Sequence, residues 1–306
     1  MSWSTLTAAS KARVLGLLLS CALVISSLGV LSAKGLNFGL DFTGGYITDI
    51  STESVTSIAD LTAKLSPEVV DKLIISKAGD HHFVLRQAPD LNTTANWQAE
   101  LSQQGIDFKV LSTSFLGSQV GDELFEQGCL ALFAALIAIM VYLAVRFEWR
   151  LAVGSVVALL HDLILVLGLF SLLGLEFNLT VLASLLAIIG YSLNDSIIVG
   201  DRVRELLRIQ SSSQRIDTHV VINDAIRSTL TRTLITSGTT LATIACIWLL
   251  AGAALTGFAI ALFVGIVVGT FSSICIAATL PQLLGLSSDN YTQTLDDKTQ
   301  AYIDMP

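Results

Sequence analysis

Six long apolar stretches punctuate the chain, and its polar residues gather almost wholly between them. The runs lie at 14–33, 128–145, 151–175, 179–199, 234–255 and 258–280, each near the roughly 20 residues that cross a hydrocarbon core of about 30 Å. They predict six membrane-spanning helices. The first run follows Lys11 and Arg13 as an export signal would, but five more spans come after it, so it reads as an uncleaved signal anchor.

Between the first and second spans the pattern changes to short β-rich runs alternating with helical ones. Residues 46–51 read as a strand, 55–65 as a helix, 69–76 and 81–87 as a strand pair turning at Gly79 and Asp80, 93–104 as a second helix and 106–112 as a last strand. The order β-α-β-β-α-β predicts a ferredoxin-like α+β domain over residues 34–126. The expected class is thus a polytopic α-helical membrane protein with one soluble ferredoxin-like domain between its first two helices.

Composition agrees: 53% of the 306 residues are hydrophobic and 14% charged, and the mean hydropathy is +0.71, which places the chain among integral membrane proteins. Charge gives the orientation. Lys11, Arg13, Arg146, Arg150 and six arginines between residues 200 and 233 lie at one side of the spans, whereas the turns at Glu176 and at 252–257 carry no Lys or Arg. The excess of positive charge predicts cytoplasmic termini (1–13 and a tail, 281–306), a cytoplasmic loop at 200–233 and a periplasmic domain. That domain holds thirteen acidic against six basic residues, a net charge of −7, which argues against a nucleic-acid partner. Cys21, Cys129, Cys246 and Cys275 all fall in spans without metal-ligand spacing, and no Ser, Cys or His constellation suggests covalent catalysis. Neither an enzyme nor a bound cofactor or metal is expected.

Candidate chemistry sits inside the spans. A carboxylate at the centre of a membrane helix costs about 2.5–3.5 kcal/mol on insertion scales, so Asp162 and Asp195 are candidates for an ion or proton path. On the fourth span Ser184, Tyr191 and Asp195 share one helical stripe with Asn194 beside it, and on the fifth Arg232, Thr236, Thr240 and Thr243 do the same. Asp195 lies six residues before Asp201, or about 9 Å along a helix, and Arg232 enters from that same end, so the two are expected to meet. Desolvation penalises the ionised carboxylate while a nearby guanidinium favours it, so movement of Arg232 would change proton affinity, and protonation would bias the conformation in return. A static, neutralising ion pair is the competing reading, because the eleven Leu, Ile and Val of residues 179–199 suffice to insert that span despite Asp195. His161 and Asp162 are secondary candidates, since adjacent helical residues point about 100° apart. The sixth span carries Gly257, Ala261, Gly265, Gly269 and Ser273 at every fourth position, a ridge for close helix packing within the chain or against another subunit.

Directly after the first span comes Gly39-Leu40-Asp41-Phe42-Thr43-Gly44-Gly45, whose glycines permit a tight reversal into the sheet and whose spacing fits no nucleotide loop. With Gly35-Leu36-Asn37-Phe38 before it, this run resembles the signature of the SecF family of the Sec protein translocase, within the RND superfamily. The resemblance continues through Val120 to Leu124, Arg146 to Arg150, His161-Asp162, Gly190 to Asp195, Asp201 to Glu205 and Arg232 to Ser237, and departs at Ser118, where the family often has proline. It implies one six-helix half of an RND-type bundle and a proton path through Asp195 and Arg232, with Gly39, Asp41, Gly44 and Gly45 as the family motif after the first helix. It also implies pairing with SecD beside the SecYEG channel, with YajC and YidC as further partners, unfolded exported polypeptide as substrate, and protons as the coupling ion in a bacterial inner membrane. A proton-driven exporter of small molecules or lipids and a non-transporting assembly subunit remain as alternatives.

Overall fold

The structure is a computed structural model that describes residues 7–55, 57–70, 73–77, 81–87, 96–210 and 217–286. In chain order these form α1 (Ala8–Lys34), β1 (Asn37–Phe38), α2 (Leu40–Thr43), β2 (Gly45–Thr52), α3 (Ile58–Thr62), α4 (Pro67–Val70), β3 (Leu73–Lys77), β4 (His82–Gln87), α5 (Asn96–Gln103) and β5 (Phe108–Leu116). The rest is α6 (Ser118–Arg146), α7 (Trp149–Leu173), β6 (Glu176–Phe177), α8 (Leu179–Gln210), α9 (Thr218–Leu250), α10 (Ala253–Ser272), a π-helical turn (Ser273–Ala277) and α11 (Leu280–Leu283). Among the described residues six helices are long and apolar enough to cross a membrane, and the chain is a multi-pass membrane protein.

The soluble domain has the sheet order β3-β4-β2-β5 with every pair antiparallel, which is the ferredoxin-like arrangement. Its core gathers Ile50, Leu61, Phe83, Leu85, Trp97 and Leu101 from the inner sheet face and the covering helices. Several boundaries differ from the sequence pattern. Residues 67–70 form α4 rather than the start of a strand, because Glu100 holds both the backbone N–H and the hydroxyl of Ser66 at 2.8 Å and Pro67 then opens a helical turn. The first helix is confined to Ile58–Thr62, since the Thr52 hydroxyl ties Val55 outside it and Ser57 caps it through the Asp60 N–H at 3.1 Å. The last strand runs on to Leu116. The Gly79-Asp80 turn and the first residues of the 93–104 helix lie outside the described residues.

The membrane helices exceed their apolar windows. α6 starts at Ser118, ten residues before position 128, and α8 and α9 carry the residues expected as a loop at 200–233 well into helix, with α9 ending at Leu250 instead of 255. Hydropathy registers only where side chains are apolar, whereas the i to i−4 bonding of the backbone continues wherever nothing stops it. α7 ends at Leu173, two residues short of the expected 175, at Gly174 in the left-handed conformation (φ 65°). The small-residue ridge of α10 faces this chain's own α8. A Cβ on Gly257 would meet Val181, one on Gly265 would run into Ile188, and one on Gly269 would stand 3.1 Å from the Ser192 side chain.

The soluble domain joins the bundle through two paired strands with no intervening linker. Gly45 of β2 pairs with Leu116 of β5, and the chains leave directly into α2 and α6. Gly44 (φ 72°) and Gly45 (φ 145°) occupy conformations that side chains disfavour, and a Cβ on Gly44 would stand 2.8 Å from the Ser118 amide nitrogen and 2.9 Å from the Leu116 carbonyl oxygen. Beside this neck Arg86 of β4 pairs with Glu176 of β6 at 3.2 Å. Replacing Gly45 with alanine would drive its Cβ into the Gln87 carbonyl oxygen as well as strain the backbone. Gly45→Ala is therefore expected to destabilise the chain by about 1–3 kcal/mol, read as a lowered Tm of the purified protein by differential scanning fluorimetry.

Candidate functional site

Among the described residues two carboxylates, Asp162 and Asp195, are fully buried in the bundle, each 0% exposed, and their surroundings are opposite in kind. Asp162 of α7 is enclosed by donors. The Ser192 hydroxyl of α8 donates to its Oδ2 at 2.5 Å and the Ser272 hydroxyl at the end of α10 donates to the same oxygen at 2.9 Å. The adjacent His161 folds its ring across, with Nδ1 at 2.8 Å from Oδ1. Although adjacent helical residues point about 100° apart, the two side chains meet each other, because imidazole is long enough to return to the next side chain. Gly269 makes room for this arrangement, since a Cβ there would lie 3.3 Å from Asp162 Oδ2. Asp162 joins α7, α8 and α10 at one point.

Asp195, one turn further along α8 than Ser192, has no such enclosure. Both of its carboxylate oxygens are buried without a hydrogen-bond partner. Arg232 of α9 forms no ion pair with it, and the Ser237 hydroxyl of α9 shares a hydrogen bond with Thr270 at 2.9 Å. The Tyr191 and Ser196 hydroxyls on the neighbouring turns of α8, and that of Thr233 on α9, are also buried and unpaired. Buried polar atoms are ordinarily satisfied, so such a group marks a place where the chain withholds partners.

The structure distributes the remaining candidates unevenly. Arg232 lies on the exposed side of α9, and Asn194 on the exposed side of α8. The hydroxyls of Thr236, Thr240 and Thr243 bond back to carbonyls of their own helix at 2.9–3.1 Å and do not meet Asp195. The buried polar edge of α9 is instead Thr233 and Ser237, one residue further on, because a single step rotates a helical side chain by about 100°. Gly39, Asp41, Gly44 and Gly45 stand apart from the carboxylates, at the opposite end of α8.

The helical stripes leave out Ser192, Ser237 and Ser272, although Ser192 and Ser237 fall within the motif runs Gly190 to Asp195 and Arg232 to Ser237. Arg13, read only as an orientation mark, is 5% exposed and donates to the Thr279 and Ser10 hydroxyls, each at 3.4 Å. No signal in the sequence separates a buried Arg13 from a solvated one.

Comparison with known proteins agrees with this architecture. Residues 96–286 match the family model described as protein export membrane protein SecD/SecF, C-terminal, and residues 29–54 match the SecD/SecF GG motif. Protein translocase subunit SecF of Escherichia coli O157:H7 is 38% identical over 294 residues, covering 92% of this chain and 89% of that one. The SecF subunit of Vibrio alginolyticus is 39% identical over 292 residues, covering 93% and 92%. Among solved structures, that of SecDF from Thermus thermophilus, a translocon-associated membrane protein, superposes with a TM-score of 0.76 at 32% identity, covering 93% of this chain and 39% of the other. SecDF in its super-membrane-facing form gives a TM-score of 0.70 at 32% identity, covering 97% and 39%. This chain therefore spans about two fifths of the SecDF polypeptide and nearly all of the SecF subunits. On these matches the chain belongs to the SecD/SecF family of protein export membrane proteins, as a SecF-type member.

Proposed function

We propose that the chain is a proton-coupled accessory subunit of the Sec translocase, which pairs with SecD and uses the proton motive force to promote late steps of preprotein translocation across the bacterial inner membrane. The observation that carries this reading is the contrast between the two buried carboxylates. An ionised carboxylate without partners in a low-dielectric interior is costly, and either an arriving proton or an approaching cation removes that cost. Asp195, unbonded on α8 where α9 with its Arg232 packs against it, has both routes; Asp162, with three bonds already made, has neither need. The two routes exclude one another. A conformational change that brings Arg232 up would release the proton, and its withdrawal would bind one.

A single charge crossing 100 mV supplies about 2.3 kcal/mol, whereas moving a two-state equilibrium from 1:99 to 99:1 takes about 5.5 kcal/mol. Several protons per cycle, a pH gradient or a smaller swing must make up the difference.

A SecD partner is supported by what this chain leaves uncovered. α1, α6 and α9 bury little of their surface within the chain, unlike α7, α8 and α10, and β5 is an edge strand with most of its residues exposed. Working beside SecYEG with YajC and YidC, and acting on unfolded exported polypeptide without covalent catalysis, are part of the same reading. The distribution of Lys and Arg supports cytoplasmic termini and a periplasmic 34–126 segment: Arg146, Arg150, Arg202 and Arg204 cluster at one end of the helices, with Arg146 paired to Asp201 at 2.8 Å, while the opposite turns carry none.

In cells whose only copy carries Asp195→Asn, unprocessed secretory precursors are expected to accumulate while the membrane level of the protein, followed by immunoblot, stays normal. Normal precursor processing would leave Asp195 structural and overturn the proton reading. Asp162→Ala is expected to behave differently, because it strands the His161 and Ser192 donors in the bundle and leaves Ser272 only the Gly269 carbonyl. The loss should be about 3 kcal/mol or more of stability, seen as a lowered Tm and reduced membrane level, with Asp195→Asn melting close to the unmodified protein in the same assay.

A further inference from the structure

The proton reading gives no task to the motif Gly39–Gly45, yet this short run touches every part of the junction between bundle and soluble domain. The Gly39 N–H donates to the Phe177 carbonyl at 2.9 Å, continuing the parallel pairing of β1 with β6. Two residues on, Asp41 Oδ2 accepts the Leu179 N–H at 3.0 Å. Leu179 is the first residue of α8, whose opening N–H groups have no partner within the helix. Asn178 Oδ1 meets the Val181 N–H at 3.1 Å, so one cap comes from the approach to α8 itself and the other from a segment 138 residues away. The Asp41 charge also stands at the positive end of the helix dipole.

The motif is fixed equally firmly on its other sides. The Phe42 ring lies 5.4 Å from Phe125 of α6 and 5.8 Å from Phe177, centroid to centroid. The Phe42 carbonyl oxygen would be 2.5 Å from a Cβ on Gly121, a closeness that only glycine allows there. Gly44 and Gly45 then deliver the chain into β2 beside the point where β5 returns into α6. Asp41 is thus four residues from the sheet and one hydrogen bond from α8.

From this geometry we infer that Asp41 is a positioning residue for the helix carrying Asp195, tying the outer end of α8 to the soluble domain so that the two move as one body. The inference rests on the proton reading above. Asp195 lies sixteen residues beyond Leu179, or about 24 Å along α8, too far to touch the domain, so a stiff helix clamped at its outer end must carry any movement between them. Displacement of α8 by a change at Asp195 reaches β2 through Asp41, and load on the domain returns by the same route. A cap that served stability alone would lower the amount of folded protein and leave export per folded molecule unchanged.

Asp41→Ala and Asp41→Asn in the full chain separate these roles, because asparagine caps a helix about as well as aspartate and alanine does not. Precursor accumulation would be measured against the membrane level of each variant, and hydrogen exchange would be followed over residues 179–186 in the purified chain in lipid nanodiscs. Asp41→Ala is expected to accumulate precursor several-fold at an unchanged membrane level and to exchange about fivefold faster at the start of α8, with Asp41→Asn near the unmodified protein in both. Unimpaired export per molecule in Asp41→Ala, or an Asp41→Asn as defective as the alanine variant, would overturn the inference. Normal export by Asp195→Asn would sink the proton reading separately; the clamp would then be judged on exchange alone, supported by faster exchange in Asp41→Ala and overturned by unchanged exchange.

Discussion

A carboxylate in a membrane interior must find partners, bind a proton or be approached by a cation, and this bundle meets that demand differently at its two buried aspartates. At Asp162 it supplies three hydrogen bonds from three directions, so the charge becomes a structural joint for α7, α8 and α10. At Asp195, on α8 one turn beyond Ser192, it supplies none. In a low dielectric both choices carry large consequences, since a satisfied network rigidifies and an unsatisfied group is unstable in its charged form until something changes around it. The satisfied joint is a stable frame beside the unsatisfied group.

That frame is built by small residues. Gly257, Gly265 and Gly269 let α10 lie against α8 closely enough for Ser272 and Ser192 to converge on one oxygen of Asp162. α9 has a different status: it buries less of its surface than α7, α8 or α10, Thr236, Thr239 and Thr243 bond to carbonyls of their own helix while Thr233 is buried and unpaired, and Arg232 sits on its exposed side.

At the other end of α8 the order is reversed. Asp41, Glu176 and the aromatic group around Phe42 bind the helix start to the sheet through short, stiff connections, and Gly44 and Gly45 take up backbone conformations that keep those connections free of slack. One helix therefore runs from a rigid neck to an unsatisfied carboxylate.

Much of this was open to reading along the chain. The six spans, the order of elements in the soluble domain and the two buried aspartates follow from periodicity and from the cost of charge in hydrocarbon, which act locally or on composition and so leave their mark in the order of residues. The limits of the helices did not follow, because hydropathy ends where polar side chains begin while backbone bonding continues through Ser118 and through 200–210 and 218–233. Nor did the partners. That Ser237 and not Thr236 turns inward, that His161 returns to Asp162, and that Asp41 reaches across 138 residues to cap α8 depend on helix rotation and on contacts between distant segments. Residue order settled which groups are costly to bury; packing in three dimensions settled which of them are relieved, since a hydrogen bond is made or lost over less than the width of one helical turn.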